Sequence, residues 1–279
     1  MRLFSKGAAP NAARALVFVI ILTLALVALL PIAWMTLSAF KLDDEINQIP
    51  PTFLPHTPTL DNFLQLFAQF QFGVLTINTI IVSSLVVALS LSLGGAASYG
   101  LSRYPFIGSN LLFHIILVTR LVTPASFVLP LYLMMNALHL TNTLVALVIG
   151  ITVLNLPFVI WILKPFFDAL PREIEEAAQL DGVGPVGIFW RFAITLAGPG
   201  FKTVALFSFI AAWTDLLIPI TMSTRSEGWT LTAGIVQMQT GFKIYWGALM
   251  AGGVYLTLPS FVIAIAMQKA LTRGFRTTF

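Results

Sequence analysis

The chain has 279 residues, of which 58% are hydrophobic and only 9% are charged, and its formal net charge is +4. A soluble domain is about 45–50% apolar and about 25% charged, so this composition excludes an ordinary soluble protein. The chain has no cysteine, which excludes disulfides, thiolate metal sites and a cysteine nucleophile. The sequence therefore predicts an integral membrane protein, and its continuous apolar runs favour helices as the spanning form.

Six stretches are apolar enough, at the roughly 20 residues required, to cross a bilayer as helices. They lie near residues 15–37, 76–98, 111–133, 143–163, 202–221 and 245–267. The first is uncharged and longer than a signal-peptide core of about 7–15 residues, so we interpret it as a retained span. The polar segment 136–143 predicts a turn between the third and fourth spans. The chain is thus predicted to be one all-α, polytopic transmembrane domain over residues 1–279.

Lys and Arg residues are concentrated on one side of these spans. With the N-terminus in the cytoplasm, eleven of the fifteen fall in cytoplasmic segments, whereas the outer loops hold only Lys41, Arg225 and Lys243. Basic residues are enriched in cytoplasmic loops, so this bias predicts that both termini are cytoplasmic. Membrane topology then explains the positive net charge, and nucleic acid is not expected as a partner.

The cytoplasmic loop between the fourth and fifth spans, residues 169–195, carries an acidic helix and a sharp turn. Pro171 suits a first helical position, and three Glu residues follow where the helix dipole favours negative charge. Gly182 supplies a stop and Pro185 continues the turn. We therefore expect a short helix, a bend and a second short helix that leads towards the fifth span.

The surface of this first helix suits contact with another protein. Ala177 and Ala178 leave a low-relief patch flanked by carboxylates, which would fit a groove in a partner. The alternative is a capped amphipathic connector that lies on the membrane surface. An acidic helix is an odd choice against an anionic leaflet, so the sequence favours docking.

The segment EEAAQLDG in this loop resembles the EAA signature of ABC importer permeases. The match rests on Glu176, Ala177, Ala178 and Gly182, with Asp181 in the common Asp-Gly pair, while Thr195 stands where the family has Pro. Other segments resemble the carbohydrate-type branch, which includes the maltose permease subunit of the G type. These are LPIAWMTLSAFK (30–41), PTLDNF (58–63), ASYGLSRYPFIG (97–108) and AAWTDLLIPI (211–220).

The resemblance implies the fold of a type I ABC importer permease in a bacterial-type inner (plasma) membrane. It implies half of a pore that imports a saccharide or related polyol, paired with a second permease, which the carbohydrate-type resemblance favours as a different chain. Two ATPase subunits would bind ATP and Mg²⁺, an extracytoplasmic substrate-binding protein would deliver the substrate, and this chain would bind no cofactor and catalyse no reaction. The coupling residues implied are Glu175, Glu176, Ala177, Ala178, Leu180, Asp181 and Gly182.

The sequence agrees with this division of labour. It contains no G-x-x-x-x-G-K-[ST] motif and so no phosphate-binding loop of its own. The glycine-rich stretch 94–100 lacks the lysine of such a loop, and we interpret it as a site of close helix packing.

Two charged residues, Arg120 and Asp215, lie inside predicted spans. A charge near the middle of a membrane costs at least about 2.5–3.5 kcal/mol, so it normally faces a cavity or a partner. The two residues could line a polar route for the substrate. They could equally form a structural pair, within the chain or with the partner permease.

The outer loop 224–246 is polar and aromatic, and the resemblance places it beneath the binding protein. Its candidate contact residues are Glu227, Trp229 and Thr230. Trp229 could stack on a sugar ring, although anchoring at the membrane interface is the commoner use of tryptophan. The three His residues are scattered without metal-ligand spacing, so no metal site is expected.

Two other classes of function remain as alternatives. A stand-alone secondary transporter usually has more spans, inverted repeats and ion-coupling carboxylates, and this chain offers one candidate acid. An intramembrane enzyme would need a nucleophile or a metal constellation, which the sequence does not offer.

Overall fold

The computed structural model describes residues 11–239 and 244–274, and the side chains of residues 15–226, 228–239 and 244–265. Its α-helices, in chain order, are α1 (Asn11–Ala39), α2 (Asp43–Ile46), α3 (Asp61–Ala68), α4 (Phe72–Leu89), α5 (Gly95–Arg103), α6 (Ser109–Thr119), α7 (Ala125–Ala137), α8 (Leu144–Asp168), α9 (Arg172–Leu180), α10 (Pro185–Ile188), α11 (Ile194–Leu196), α12 (Gly198–Trp213), α13 (Leu217–Met222), α14 (Leu231–Val236) and α15 (Trp246–Gly274). Turns of π-helix join α4 to α5 and α10 to α11. The predicted all-helical class is confirmed.

Within the described residues, four helices are long and apolar enough to cross a membrane. They are Ala15–Ala39, Phe72–Arg103, Leu144–Asp168 and Trp246–Ile265. A fifth span is counted if Pro185–Leu196 and Gly198–Trp213, which are bent by 83°, are taken together. The polytopic architecture is therefore found, with fewer continuous spans than the six predicted.

Two of the predicted spans are broken in the structure. The third, near 111–133, is two short helices, α6 and α7, separated at Arg120–Pro124. Pro124 disfavours helical backbone at the residue before it, which accounts for the interruption. The fifth, near 202–221, is interrupted at Thr214–Leu216, between α12 and α13.

The described residues form two compact units, of which the first comprises residues 11–69 and 244–254. Asn62 closes the end of α1 by donating hydrogen bonds from its side-chain nitrogen to the carbonyl oxygens of Ala39 at 2.9 Å and Lys41 at 2.7 Å. Gly247 lies against the same amide, and a Cβ there would overlap the Asn62 side chain. This unit therefore ties the outer loop that follows the first span to the start of α15.

The second unit comprises residues 70–239 and 255–274 and is centred on α8. Helices α4, α5 and α12 pack against α8. Close approach requires small residues, because a Cβ on Gly94 would overlap Val159 and one on Gly200 would come within 2.7 Å of the Phe166 ring. The interpretation of the 94–100 stretch as a packing site is therefore confirmed at Gly94 and Gly95, whereas Gly100 has open space around it.

The structure confirms the predicted turn at 136–143, whereas it does not test the predicted orientation in the membrane. A turn does separate α7 from α8. Of the basic residues that predict the orientation, Arg2, Lys6, Lys243 and Arg276 lie outside the described residues. Cytoplasmic termini therefore remain a prediction from the distribution of charge.

Candidate functional site

Helices α9 and α10 form the helix–turn–helix expected in the loop between the fourth and fifth spans. Helix α9 follows Pro171, carries Glu173 in its acidic first turn and ends at Leu180. Gly182 has a φ of +81°, a left-handed value that glycine adopts without strain. Pro185 opens α10. The proline start, the acidic first turn and the glycine stop thus position both helices by local chemistry alone.

Glu175 faces the interior of the protein rather than a partner. Its Oε1 accepts a hydrogen bond from Nε of Arg103 at 2.7 Å, and its Oε2 accepts one from the hydroxyl of Tyr99 at 2.9 Å. The side chains of Arg103 and Glu175 are only 6% and 10% exposed. Ala178, one turn further along α9, is also buried. The expected contact of Glu175 and Ala178 with an ATPase subunit disagrees with this burial, because both side chains are turned into their own chain.

The remaining side of α9 is open. Glu176 and Ala177 are exposed, and Asp181 and Gly182 follow in the exposed turn. The side chain of Leu180 is 91% exposed, and Val186 and Trp190 are also exposed. Several large apolar side chains beside carboxylates in one short loop are typical of a contact surface for another protein.

An 83° bend separates this loop from α12. Thr195, which stands in the position of the family's proline, donates its hydroxyl to the carbonyl oxygen of Arg191 at 3.0 Å. The break comes at Ala197, and Pro199 lies in the first turn of α12. Proline is tolerated there because its missing N–H would have had no partner in the helix. The bend therefore persists without a proline at position 195.

Arg120 and Asp215 line one cavity of about 390 Å³ in the second unit. Each lies where a predicted span is interrupted, Arg120 after α6 and Asp215 between α12 and α13. Oδ1 of Asp215 accepts a hydrogen bond from the N–H of Ile218 at 2.9 Å. The Arg120 guanidinium lies 5.2 Å from the centroid of the Phe158 ring. Neither charge belongs to an ion pair among the described side chains, so a pair between them within the chain is not supported.

Asn155 also lines this cavity, although no motif in the sequence marks it. Its side-chain nitrogen donates to Ser90 Oγ at 3.0 Å and to Ser208 Oγ at 2.7 Å. These contacts join α8 to the π-helical turn between α4 and α5 and to α12. A buried amide within a predicted span is the available signal, because side-chain amides form hydrogen bonds between membrane helices.

In the outer loop 224–246, the residues predicted to contact the binding protein mainly form contacts within the permease. The indole N–H of Trp229 donates to the carbonyl oxygen of Ser223 at 3.1 Å, and its own carbonyl oxygen accepts from Asn78 at 3.0 Å. Thr230 is 2% exposed, so an expected contact with a binding protein disagrees with its burial. The side chain of Glu227 lies outside the described residues.

Other residues of this loop are open to a partner. Thr224, Arg225 and Ser226 are exposed, although nothing in the local sequence distinguishes them from their neighbours. Among the residues that the structure describes, no group of three or more His, Asp or Glu side chains could hold a metal ion.

A helical membrane chain with a cavity at broken helices and an exposed inner-loop helix has the organisation of a transport permease. The chain belongs to the family described as binding-protein-dependent transport system inner membrane component, which matches residues 90–277. It is therefore the permease subunit of a binding-protein-dependent ABC importer, a non-catalytic, multi-pass component of the inner membrane. This confirms the family and class that the sequence predicts.

Similar proteins include permeases of carbohydrate transport systems. The sulfoquinovosyl glycerol transport system permease protein SmoH of Agrobacterium fabrum is 29% identical over 246 residues, or 88% of this chain and 86% of that protein. The trehalose transport system permease protein SugB of Mycobacterium tuberculosis is 29% identical over 249 residues, or 88% and 90%. A bacterial ABC transporter structure, involved in alginate import, matches with a TM-score of 0.78 at 22% identity, covering 96% of this chain and 99% of that chain. The last similarity confirms the fold.

Proposed function

We propose that this permease imports a saccharide or related polyol and couples to a separate ATPase through the exposed side of α9. The observation that supports coupling through α9 is that this helix has one buried face and one exposed face. Glu175 and Ala178 are buried, whereas Glu176 and Leu180 are exposed. The chain has no phosphate-binding motif, so the energy of ATP must enter from a partner at such a surface.

The cavity that Arg120 and Asp215 line is this chain's proposed share of the translocation pathway. Irregular backbone at membrane depth is tolerated where it is buried in protein or lines a cavity. Both residues lie at helix interruptions beside the same cavity, which supports a pathway over a purely structural role. Its volume of about 390 Å³ lies in the range of about 300–1,000 Å³ that small-molecule sites occupy.

A saccharide or polyol fits the chemistry of this cavity. Arg120, Asp215 and the Asn155 amide supply charged and amide groups between apolar walls that include Phe127 and Leu131. Hydroxyl groups can both donate to and accept from such side chains. The names of the relatives SmoH and SugB, which refer to sulfoquinovosyl glycerol and trehalose, support the same class of substrate.

The proposed complex contains a second, different permease, two ATPase subunits that hold ATP and Mg²⁺, and an extracytoplasmic binding protein. No residue in the most apolar window of Ala15–Ala39 is buried within the chain, which leaves that helix free to contact lipid or the second permease. The exposed residues Thr224, Arg225 and Ser226 are the outer-loop surface that the binding protein would meet. Trp229 stays a proposed contact, since its ring is only partly buried.

The test is purification of this chain from native membranes in mild detergent, with mass spectrometry of the proteins that accompany it. We expect an ATPase, a second permease and a binding protein, and the ligand held by that binding protein would identify the substrate. The chain alone in liposomes should move no solute. Solute transport by the chain alone, without ATP, would instead establish a secondary transporter.

A further inference from the structure

The carboxylate of Glu175 joins α9 to the end of a membrane-length helix. Arg103 is the last residue of the apolar helix Phe72–Arg103, and its Nε donates to Glu175 Oε1 at 2.7 Å. Tyr99, one turn earlier, donates to the other carboxylate oxygen at 2.9 Å. Both oxygens of a buried carboxylate are therefore held by one turn of α5.

Arg103 makes a second contact that fixes where α9 begins. Its terminal guanidinium nitrogen donates to the carbonyl oxygen of Leu170 at 2.9 Å, and Leu170 directly precedes Pro171. The neighbouring Ser102 donates to Asp168 Oδ1 at 2.6 Å, at the end of α8. The last turn of α5 thus contacts the end of α8, the entry to α9 and the first turn of α9.

These contacts determine which side of α9 is exposed. Residues three apart on a helix share a face, so anchoring Glu175 also turns Ala178 inwards. Glu176 and Leu180 are then left on the open surface.

We propose that Arg103, assisted by Tyr99, is a positioning residue that sets the rotation of α9 and connects it mechanically to the helix Phe72–Arg103. This inference rests on the proposed coupling to an ATPase and adds the element that carries the movement. Removing one partner of a buried ion pair leaves an uncompensated charge, which is strongly unfavourable. Loss of Arg103 therefore releases Glu175 towards water and rotates α9 with it.

The experiment uses the complete transporter in proteoliposomes and measures substrate uptake per ATP hydrolysed. We expect Arg103→Ala to lower this ratio roughly tenfold and the exchanged pair Arg103→Glu with Glu175→Arg to recover part of it. Lys202→Ala is the matched control, since it removes the same charge from an exposed side chain that belongs to no ion pair among the described residues, and it should leave the ratio unchanged.

A second readout reports the rotation itself. Because the chain has no cysteine, Ala178→Cys is the only thiol of the permease, and it can be labelled with a membrane-impermeant maleimide on inside-out vesicles from which the ATPase subunits have been stripped. We expect protection in the otherwise native chain and labelling when Arg103→Ala is added, while Ala177→Cys reacts in both. A native uptake ratio in Arg103→Ala, or continued protection of position 178, overturns the proposal.

Two further outcomes separate folding and the proposed function from this inference. If Arg103→Ala is absent from the membrane, the double variant Arg103→Glu with Glu175→Arg provides the test. If that double variant is present in the membrane in normal amounts but its uptake per ATP stays low, the proposal is overturned. If native complexes contain no ATPase, the proposed function fails instead. If an ATPase is present and Glu176→Lys uncouples it while Arg103→Ala does not, only the positioning role fails.

Discussion

The side-chain oxygen of Asn142 accepts hydrogen bonds from both the N–H of Thr224, at 2.7 Å, and its hydroxyl, at 2.9 Å. The same oxygen accepts from the N–H of Arg225 at 3.1 Å, and the Asn142 N–H donates to the carbonyl oxygen of Met222 at 2.9 Å. The turn before α8 and the loop after α13 are therefore held together at one residue. Both are predicted to lie on the outer side, which the contact supports.

Asn142→Ala should loosen the outer loop at residues 224–246 without affecting the cytoplasmic loop at residues 169–195. An unsatisfied group costs about 1–3 kcal/mol when it is buried, and less here because the site is exposed. We expect faster proteolysis around Arg225 and weaker stimulation of ATP hydrolysis by the binding protein. Asn136→Ala is the control, since it removes an amide from an exposed side chain near the end of α7. Equal proteolysis of the two variants would show that Asn142 does not hold the loop.

Gly182→Val should uncouple the permease through backbone strain. The φ of Gly182 is +81°, and an L side chain in the left-handed region costs about 1–2 kcal/mol, with more for a branched one. We expect normal amounts in the membrane and a reduced uptake ratio. Gly184→Ala, with a φ of −69° and open space around the position, should behave as wild type. Similar uptake from both variants would remove the turn from the coupling mechanism.

Glu176→Lys should weaken retention of the ATPase by the purified permease. Glu176 is exposed on the open side of α9, so its reversal should change an intermolecular contact and leave the fold intact. Reversing a charge at an interface costs several kcal/mol when like charges meet, so retention should fall about tenfold or more. Glu176→Gln should have a smaller effect. Normal retention and normal transport by Glu176→Lys would place the ATPase elsewhere.

Asp215→Asn should distinguish a role of Asp215 in the translocation pathway from a role that is only structural. The asparagine oxygen can still accept from the Ile218 N–H, whereas Asp215→Ala loses that bond at a cost of about 0.5–1.5 kcal/mol. We expect both variants to reduce transport and only Asp215→Ala to lower the melting temperature. Full transport by Asp215→Asn, combined with a native melting temperature, would leave Asp215 with a structural role alone.

The outer loop that follows the first span should become less stable in acid because of Glu45. Burial raises the pKa of this carboxyl, but hydrogen bonds from the His56 backbone, the Thr52 hydroxyl and the His56 ring lower the pKa by more, so the net shift is downward. A carboxyl with a lowered pKa contributes stability that is present above its unfolded pKa and is lost as the pH falls through the folded pKa. The loss should therefore come below about pH 4.3, the ordinary glutamate value.

Glu45→Gln provides the control for that prediction. Proteolysis of the loop at residues 47–60 should accelerate in the native chain between pH 5 and about pH 3. In Glu45→Gln it should be faster at neutral pH and nearly independent of acid over that range. An unchanged proteolysis rate in the native chain throughout would contradict a stabilising role for the ionised carboxyl.

Much of the architecture follows from local features of the sequence. The membrane class follows from composition, and the start, end and turn of α9 follow from Pro171, the acidic first turn and Gly182. The break after Arg120 was accessible too, because Pro124 lies within the apolar stretch. The bend into α12 was harder to predict, since Thr195 stands where the family has proline and the break comes at Ala197.

The sequence by itself determined that this protein is a helical membrane permease with an acidic inner-loop helix, because hydropathy and helix-end chemistry act over a few residues. Only the tertiary structure decided that Glu175 faces inwards while the adjacent Glu176 faces out. Two neighbouring glutamates have the same local propensity, and what distinguishes them is Arg103, 72 residues earlier in the chain. Likewise, Arg120 and Asp215 come to one cavity through the packing of α8 and its neighbours, which no local pattern encodes.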